Sequence, residues 1–293
     1  MRIIFIGAVE FSLRALVKLI ELNANIVGIC TSQESRFNSD HIDLTAFSVT
    51  HGIPSFYIDD INSKETLNWI QDKSPDVIFC FGWSKLIKQN LLELAPLGVV
   101  GFHPAALPAN RGRHPIVWAL VLGLDKTAST FFFMDSGVDS GDILSQKEIS
   151  ISHQDNARSL YDKVANTALK QIAEFLPQLS KKSFQRVKQN EIHANVWRKR
   201  VGADGQIDWR MSAQSINNLV RGLATPYVGA HFLFNDIEIK VWKSAVFEGG
   251  DNNIEPGKVF HQTNSGLVVK CGEGAISLLV TEPEFKVKVG TYL

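Results

Sequence analysis

What most constrains the fold of this chain is an alternation, along its N-terminal part, of short apolar runs with amphipathic segments at helical spacing. Residues 2–7 (RIIFIG) are an apolar run ending in Gly, the pattern of a strand buried on both faces. Phe11, Leu13, Leu16, Leu19, Ile20 and Leu22 then recur at helical intervals, and a second short run follows at Ile26–Cys30. Helix-like Leu44–Val49 precedes strand-like Ser55–Ile58, and helix-like Glu65–Gln71 precedes the buried run Asp76–Phe81. The segment Leu86–Leu94 leads into Gly98–Phe102. Such βα units imply an α/β fold with a doubly wound, mainly parallel, Rossmann-like sheet and right-handed crossovers. Ligands of such sheets bind outside the carboxyl ends of the strands, so the loops after Ile6, Cys30, Cys80 and Phe102 become candidate binding loops. The first of them, GAVEFS, lacks G-x-G-x-x-G spacing, which disfavours a nicotinamide or flavin dinucleotide.

The pattern changes further on. A long helix is expected over Asn156–Phe175 with Asp155 as its N-cap. Gly-punctuated alternating runs at Ala230–Phe234, Ile237–Trp242, Lys258–His261, Leu267–Lys270 and Ala275–Val280 suggest a small C-terminal β-barrel. The expected organisation is a domain over residues 1–180, a basic linker over 181–202 and the barrel over 203–293. Lys181, Lys182, Arg186, Lys188, Arg198, Lys199 and Arg200 stand against Glu191 alone in that linker, which reads as a solvated connector or a phosphate-contacting strap. Over the whole chain Lys+Arg equals Asp+Glu at 30 each, so net charge names no partner. No apolar run approaches the roughly 20 residues a bilayer needs. Cys30, Cys80 and Cys271 are widely spaced among apolar neighbours and form no zinc motif; buried free thiols in a reducing cytoplasm are expected.

Residues 101–144 carry the chemistry. His103 follows the run Val99–Phe102, where a strand ends. Asn110, Arg111, Gly112, Arg113 and His114 place two guanidiniums and an imidazole on one loop before a helix starting near Pro115. Another strand, Thr130–Met134, runs into Asp135-Ser-Gly-Val138-Asp139-Ser-Gly-Asp142, three carboxylates on a Gly-bearing loop. Taken singly, each feature is also compatible with a structural His, a turn and solvated arginines.

This stretch resembles the signature of the formyltransferase family that uses 10-formyltetrahydrofolate, which includes glycinamide ribonucleotide transformylase, methionyl-tRNA formyltransferase and the sugar N-formyltransferases. Against the family pattern Asn-x-His-x-Ser-Leu-Leu-Pro, then Arg-Gly, then Asp-x-Gly, this chain reads Gly101-Phe-His103-Pro-Ala-Ala-Leu-Pro108, then Arg111-Gly112, then Val138-Asp139-Ser140-Gly141. The tail from Asp204 through Trp209, Arg221, Pro226, Trp242 and Pro256-Gly257 to Gly274 resembles the C-terminal domain of the tRNA and sugar enzymes. The resemblance implies that an acceptor amine attacks the formyl carbon, that His103 stabilises the oxyanion and moves protons, and that Asp139 orients the imidazole. It implies no covalent nucleophile and no metal. It also implies a folate slot by Gly82-Trp83-Ser-Lys85-Leu86-Ile87, with Trp83, Leu86, Ile87, Asp135 and Val138 around it; Trp83 reads equally as a packing residue. One departure stands out: Gly101 occupies the position of the family's catalytic Asn, and losing an oxyanion donor costs about 10²–10³ in rate. A group such as Asn110, a water, or altered activity would account for it. A silent folate or nucleotide-sugar binding protein is the reading with no turnover.

For the acceptor, the resemblance offers two enzymes. The tRNA enzymes carry a basic insertion after the second strand; here Thr31–Asp40 holds one Arg and two acids, a poor phosphate-binding loop. The region Phe37-Asn38 to Leu44 and the stretch Asn110-Arg111-Gly112 resemble the sugar enzymes instead. The expected substrate is therefore a nucleotide-linked amino sugar of the kind built for bacterial surface polysaccharide, contacted by Asn38 and Asn110, with Arg111, Arg113 or Lys85 at its diphosphate. The C-terminal barrel is open to a second binding site, a homodimer contact or scaffolding.

Overall fold

The computed structural model describes residues 1–35, 39–249 and 253–293. In chain order its elements are β1 (Arg2–Ile6), α1 (Glu10–Glu21), β2 (Asn25–Thr31), α2 (Thr45–Thr50), β3 (Ser55–Tyr57), α3 (Lys64–Asp72), β4 (Val77–Cys80), α4 (Gln89–Leu92), β5 (Val99–His103) and β6 (Arg111–Gly112). Then come α5 (Pro115–Val121), β7 (Lys126–Phe133), β8 (Ile143–Ser150), α6 (Ala157–Ser180), β9 (Val196–Trp197), α7 (Ala213–Leu223), β10 (Ala230–Phe234), β11 (Ile237–Phe247), β12 (Val259–Thr263), β13 (Gly266–Lys270) and β14 (Ala275–Glu282). The chain divides into two compact units: Met1–Gly112, Thr127–Ile149 and Asp162–Trp197 form one, and Arg113–Lys126, Ser150–Tyr161 and Arg198–Leu293 the other.

The first unit is built on a seven-stranded sheet in the order β3-β2-β1-β4-β5-β7-β8. β1 to β5 pair in parallel. Unbroken apolar strands follow from burial of both faces. On one, Ile4, Ile6, Ile78 and Cys80 join Ile58, Ile70, Ile87 and Leu91. On the other, alternate residues Phe5, Phe79 and Phe81 meet Phe131 and Phe175, with centroids 5.1 Å apart for Phe81–Phe131 and 4.8 Å for Phe131–Phe175. Ile3, Ile4, Phe5 and Ile6 are at most 1% exposed, each contributing about 1.5–3 kcal/mol. Phe11, Ala15, Leu16 and Leu19 bury one face of α1, as the helical spacing requires. Buried Ser12 accepts from the Val9 amide and donates to the Phe81 carbonyl at 2.6 Å, tying the first loop to the end of β4.

The sheet departs from a wholly parallel one at β7, which pairs with β5 antiparallel, His103 facing Thr130 and Val100 facing Phe133. The carboxyl end of β7 therefore lies beside the start of β5, where the Met134 amide bonds the Val99 carbonyl at 2.7 Å. The N-cap of the long helix also falls one residue beyond the expected Asp155: Asn156 Oδ1 accepts from the Ser159 amide at 3.0 Å, while Asp155 takes the Ser152 amide and the Ser159 hydroxyl.

The second unit is a small barrel-like domain of five antiparallel strands in the order β10-β11-β14-β13-β12. Ile216, Leu219, Val220 and Leu223 of α7 pack with Trp209, Phe232, Ile239, Val269 and Ile276 as its core, and Ser212 caps α7 by accepting from the Ser215 amide. All three cysteines are free and buried. Burial pushes the Cys80 and Cys271 thiols up to about 12 and raises that of Cys30 too, so their nucleophilic thiolate form is suppressed. No helix among the described residues is long and apolar enough to cross a membrane.

Candidate active site

β5 delivers His103 to the sheet's edge. The turn that follows is pinned from below, since the Thr130 hydroxyl donates to the Ala105 carbonyl at 2.6 Å and the Gln146 amide to the Leu107 carbonyl at 2.8 Å. His103 is 4% exposed. Its Nε2 lies 2.7 Å from the carbonyl oxygen of Asn110. A carbonyl only accepts, so Nε2 carries a proton and Nδ1 is left for a second partner. That partner is Asp139, whose Oδ2 lies 3.5 Å from Nδ1. Both ring nitrogens thus face acceptors.

Asp139 does not arrive at the carboxyl end of a parallel strand. Because β7 runs antiparallel, its terminal loop must fold back toward His103. Asp139 makes that reversal with φ at 51°, a left-handed conformation uncommon for a non-glycine residue. Its carboxylate is fixed by the Gly112 amide, which donates to Oδ2 at 2.9 Å. Gly112 itself has φ at 98°, and a Cβ there would collide with the Trp197 carbonyl. The Arg-Gly pair thus has a physical reason: only glycine lets β6 pair closely with β9 while turning its N–H toward Asp139.

Gly101 lies in β5, two residues before His103. A Cβ at this position would come within 2.8 Å of Met134 Cγ, 3.1 Å of its Sδ and 3.1 Å of Phe132 Cε1. Met134 packs in the same apolar cluster as Trp83 and Ile87.

Arg111 corrects one expectation. It was a candidate for meeting a diphosphate, yet it is buried and turned onto the protein. Nη1 and Nη2 grip Glu191 in a bidentate pair at 2.9 and 2.7 Å, and Nε and Nη2 donate to Gln189 Oε1 at 3.2 and 2.7 Å. The Glu191 carboxylate holds the guanidinium charged, and Arg111 in turn holds Glu191 below the usual carboxylate range. Asn195 continues this strap, its Oδ1 accepting from the Asn110 amide at 2.7 Å and its carbonyl from the Arg111 amide at 3.1 Å. Gln189, Asn195 and Met134 are the residues that the sequence reading missed. The charge run at 181–200 drew attention to this region, but neutral Gln and Asn gave no signal of their own.

The other candidates fall as follows. Ile87 is buried, Leu86 and Val138 are exposed, and Asp135 accepts from the Gly137 amide and the Ser140 hydroxyl. Trp83 Nε1 is buried with no hydrogen-bond partner among the described residues. Exposed Lys85 donates to the Asp59 carbonyl at 2.9 Å and sits 5.8 Å from the Trp83 ring centroid. Arg113 belongs to the second unit, half-buried next to His114. Asn38 lies outside the described residues. Among the described residues, no three His, Cys, Asp or Glu side chains group to hold a metal.

Comparison with known proteins gives this geometry its context. Residues 3–176 match the family described as formyl transferase, and residues 201–291 match the formyl transferase C-terminal domain. A methionyl-tRNA formyltransferase of Caldanaerobacter subterraneus is 30% identical over 99% of this chain and 94% of its own length. Among solved structures, WlaRD, a sugar 3N-formyl transferase crystallised with dTDP and 5-N-formyl-THF, superposes with a TM-score of 0.72 over 97% of this chain and 99% of that one, at 17% identity. An N-formyltransferase from Helicobacter canadensis, in complex with folinic acid and dTDP-3-aminofucose, gives 0.71 over 94% and 98%, at 15% identity. Matched over both of its domains, the chain is a member of the formyltransferase family.

Proposed function

We propose that this enzyme moves the formyl group of 10-formyltetrahydrofolate onto the amine of a nucleotide-linked amino sugar. The observation that carries the reading is the approach of His103 Nδ1 to Asp139 Oδ2 at 3.5 Å, with Gly112 fixing the same carboxylate oxygen. In this reading the amine lone pair forms a C–N bond to the formyl carbon, and the carbonyl electrons move onto oxygen. His103, beside Asp139, offsets that negative charge where it develops. The oxyanion then re-forms its double bond as the bond to the folate N10 breaks. The amine gives up a proton and N10 takes one, an exchange this reading assigns to His103. The transfer as written uses no metal.

Residues on the loop after β4 suit a flat heterocycle with polar edges. The Trp83 indole N–H is an unmet donor among the described residues, and Leu86 together with Val138 of the Asp139 loop offers exposed aliphatic surface. The sugar reading rests on the loop after β2, where Glu34 and Asp40 outnumber Arg36; phosphate-rich RNA is held chiefly by Lys and Arg. Of the expected diphosphate contacts, Lys85 lies in the same unit as His103 and Asp139. A second reading, methionyl-tRNA as acceptor, is favoured by the full-length relative at 30% identity. Turnover with 10-formyltetrahydrofolate and either a panel of amino-sugar nucleotides or Met-tRNA decides between them. Formylation of a sugar nucleotide is expected; formylation of Met-tRNA alone would overturn the acceptor.

A further inference from the structure

Gln189 is separated from Asp139 by fifty residues of chain, yet its side chain is buried and wholly engaged. Nε2 donates to the Asp139 carbonyl at 2.8 Å and to the Gly141 carbonyl at 2.7 Å. Oε1 accepts twice from the Arg111 guanidinium, at 3.2 and 2.7 Å. Two amide hydrogens and two lone pairs are all that a glutamine has, and here each has a partner. The orientation is also dictated. A flipped amide would set oxygen against two carbonyls and NH₂ against a cation.

These four bonds join the two loops that converge on His103. Arg111 precedes Gly112, whose amide holds the Asp139 carboxylate, while Gln189 holds the carbonyl of the same Asp139. A residue at φ 51° keeps that conformation only where its surroundings over-determine it. Gly112 fixes one end of Asp139 and Gln189 the other.

We propose that Gln189 is a positioning residue for formyl transfer, setting the Asp139 carboxylate opposite His103 without touching substrate. This rests on the reading of His103 and Asp139 as the transfer site, but not on which amine is the acceptor.

The test uses the full chain with whichever acceptor the native enzyme formylates. Gln189→Glu keeps an acceptor for Arg111 and pairs with its charge, but turns a carboxylate toward the Asp139 and Gly141 carbonyls. Gln189→Met removes both halves of the link. Glu191→Gln is the control, weakening the grip on the same guanidinium at an exposed site that does not reach Asp139. For Gln189→Glu we expect kcat to fall about 10–100-fold, the range typical when an outer-shell partner orienting a reactive group is lost. KM for both substrates should stay within about twofold, because no contact to substrate is removed. The acid limb of the kcat/KM profile should move, since the carboxylate facing His103 is displaced. Glu191→Gln should stay within about twofold of native kcat. A merely structural residue would lower Tm and leave kcat and the pH profile of the folded enzyme unchanged; that result for Gln189→Glu, with native enzyme active, overturns the proposal alone. Loss of folding in both Gln189 variants while Glu191→Gln folds also overturns it. Native enzyme silent with every acceptor overturns the transfer site itself.

Discussion

Gly101 and Met134 share one volume: a Cβ on the glycine would lie 2.8 Å from Met134 Cγ. The position that the sequence resemblance sets against a catalytic Asn is thus glycine with its neighbouring space filled by a thioether. Introducing Gly101→Asn should not supply an oxyanion donor but overpack the strand, lowering stability by about 1–3 kcal/mol and reducing kcat. Met134→Ala alone opens a gap, whereas the pair Gly101→Asn with Met134→Ala should be more stable than the sum of the single effects predicts. A thermal-denaturation double-mutant cycle measures that coupling. Additive effects would show that the two side chains do not compete.

Asp139→Asn keeps an oxygen for the Gly112 amide but removes the charge facing His103. Stability should change little, while kcat falls by about 10²–10⁴, the range for a compromised acid–base group. Steady-state turnover paired with a melting curve separates the two quantities. An active Asp139→Asn enzyme would remove the carboxylate from the mechanism.

Gly112→Ala should be more damaging than its size suggests. Alanine at φ 98° is strained, and its Cβ meets the Trp197 carbonyl. A loss of about 1–3 kcal/mol is expected from the backbone strain. Activity should fall further than the melting temperature implies, because the amide that orients Asp139 moves. Gly112→Ala with native kcat would contradict this.

The two-faced strands announced themselves as unbroken apolar runs, and α1 showed its buried stripe at helical spacing, because each pattern reflects burial of that element's own residues. β8 was silent for the same reason. ILSQKEIS is mostly exposed or half-buried at the end of the sheet and carries no clean period. The direction of β7 was also hidden, since an apolar strand reads the same whichever way it pairs. At the site, His103 and the Asp139 loop could be picked out by residue type and resemblance. What Arg111 does could not. Its partners lie 78 and 80 residues away, and a guanidinium engaged by Gln189 and Glu191 looks in sequence like one waiting for phosphate.

His114 ties a pH dependence to the second unit. It precedes α5 with φ at 56°, and its Nδ1 accepts from the Arg200 amide at 3.2 Å, a role that needs the nitrogen unprotonated. Burial, then the neighbouring Arg113, Arg200 and Lys199, hold its pKa below the ordinary 6.5, with Asp204 opposing weakly. The folded state therefore refuses a proton that the unfolded chain accepts, so this contribution to stability is full above about pH 6.5 and declines as the medium is acidified through and below that value. Asparagine tolerates left-handed backbone and carries no titrating charge. His114→Asn should accordingly flatten the fall of Tm between about pH 7 and 5 relative to the native chain, whatever its effect at neutral pH. Parallel slopes for the two proteins would mean that the imidazole is free to protonate in the fold, and that its bond to the Arg200 amide gives way without cost.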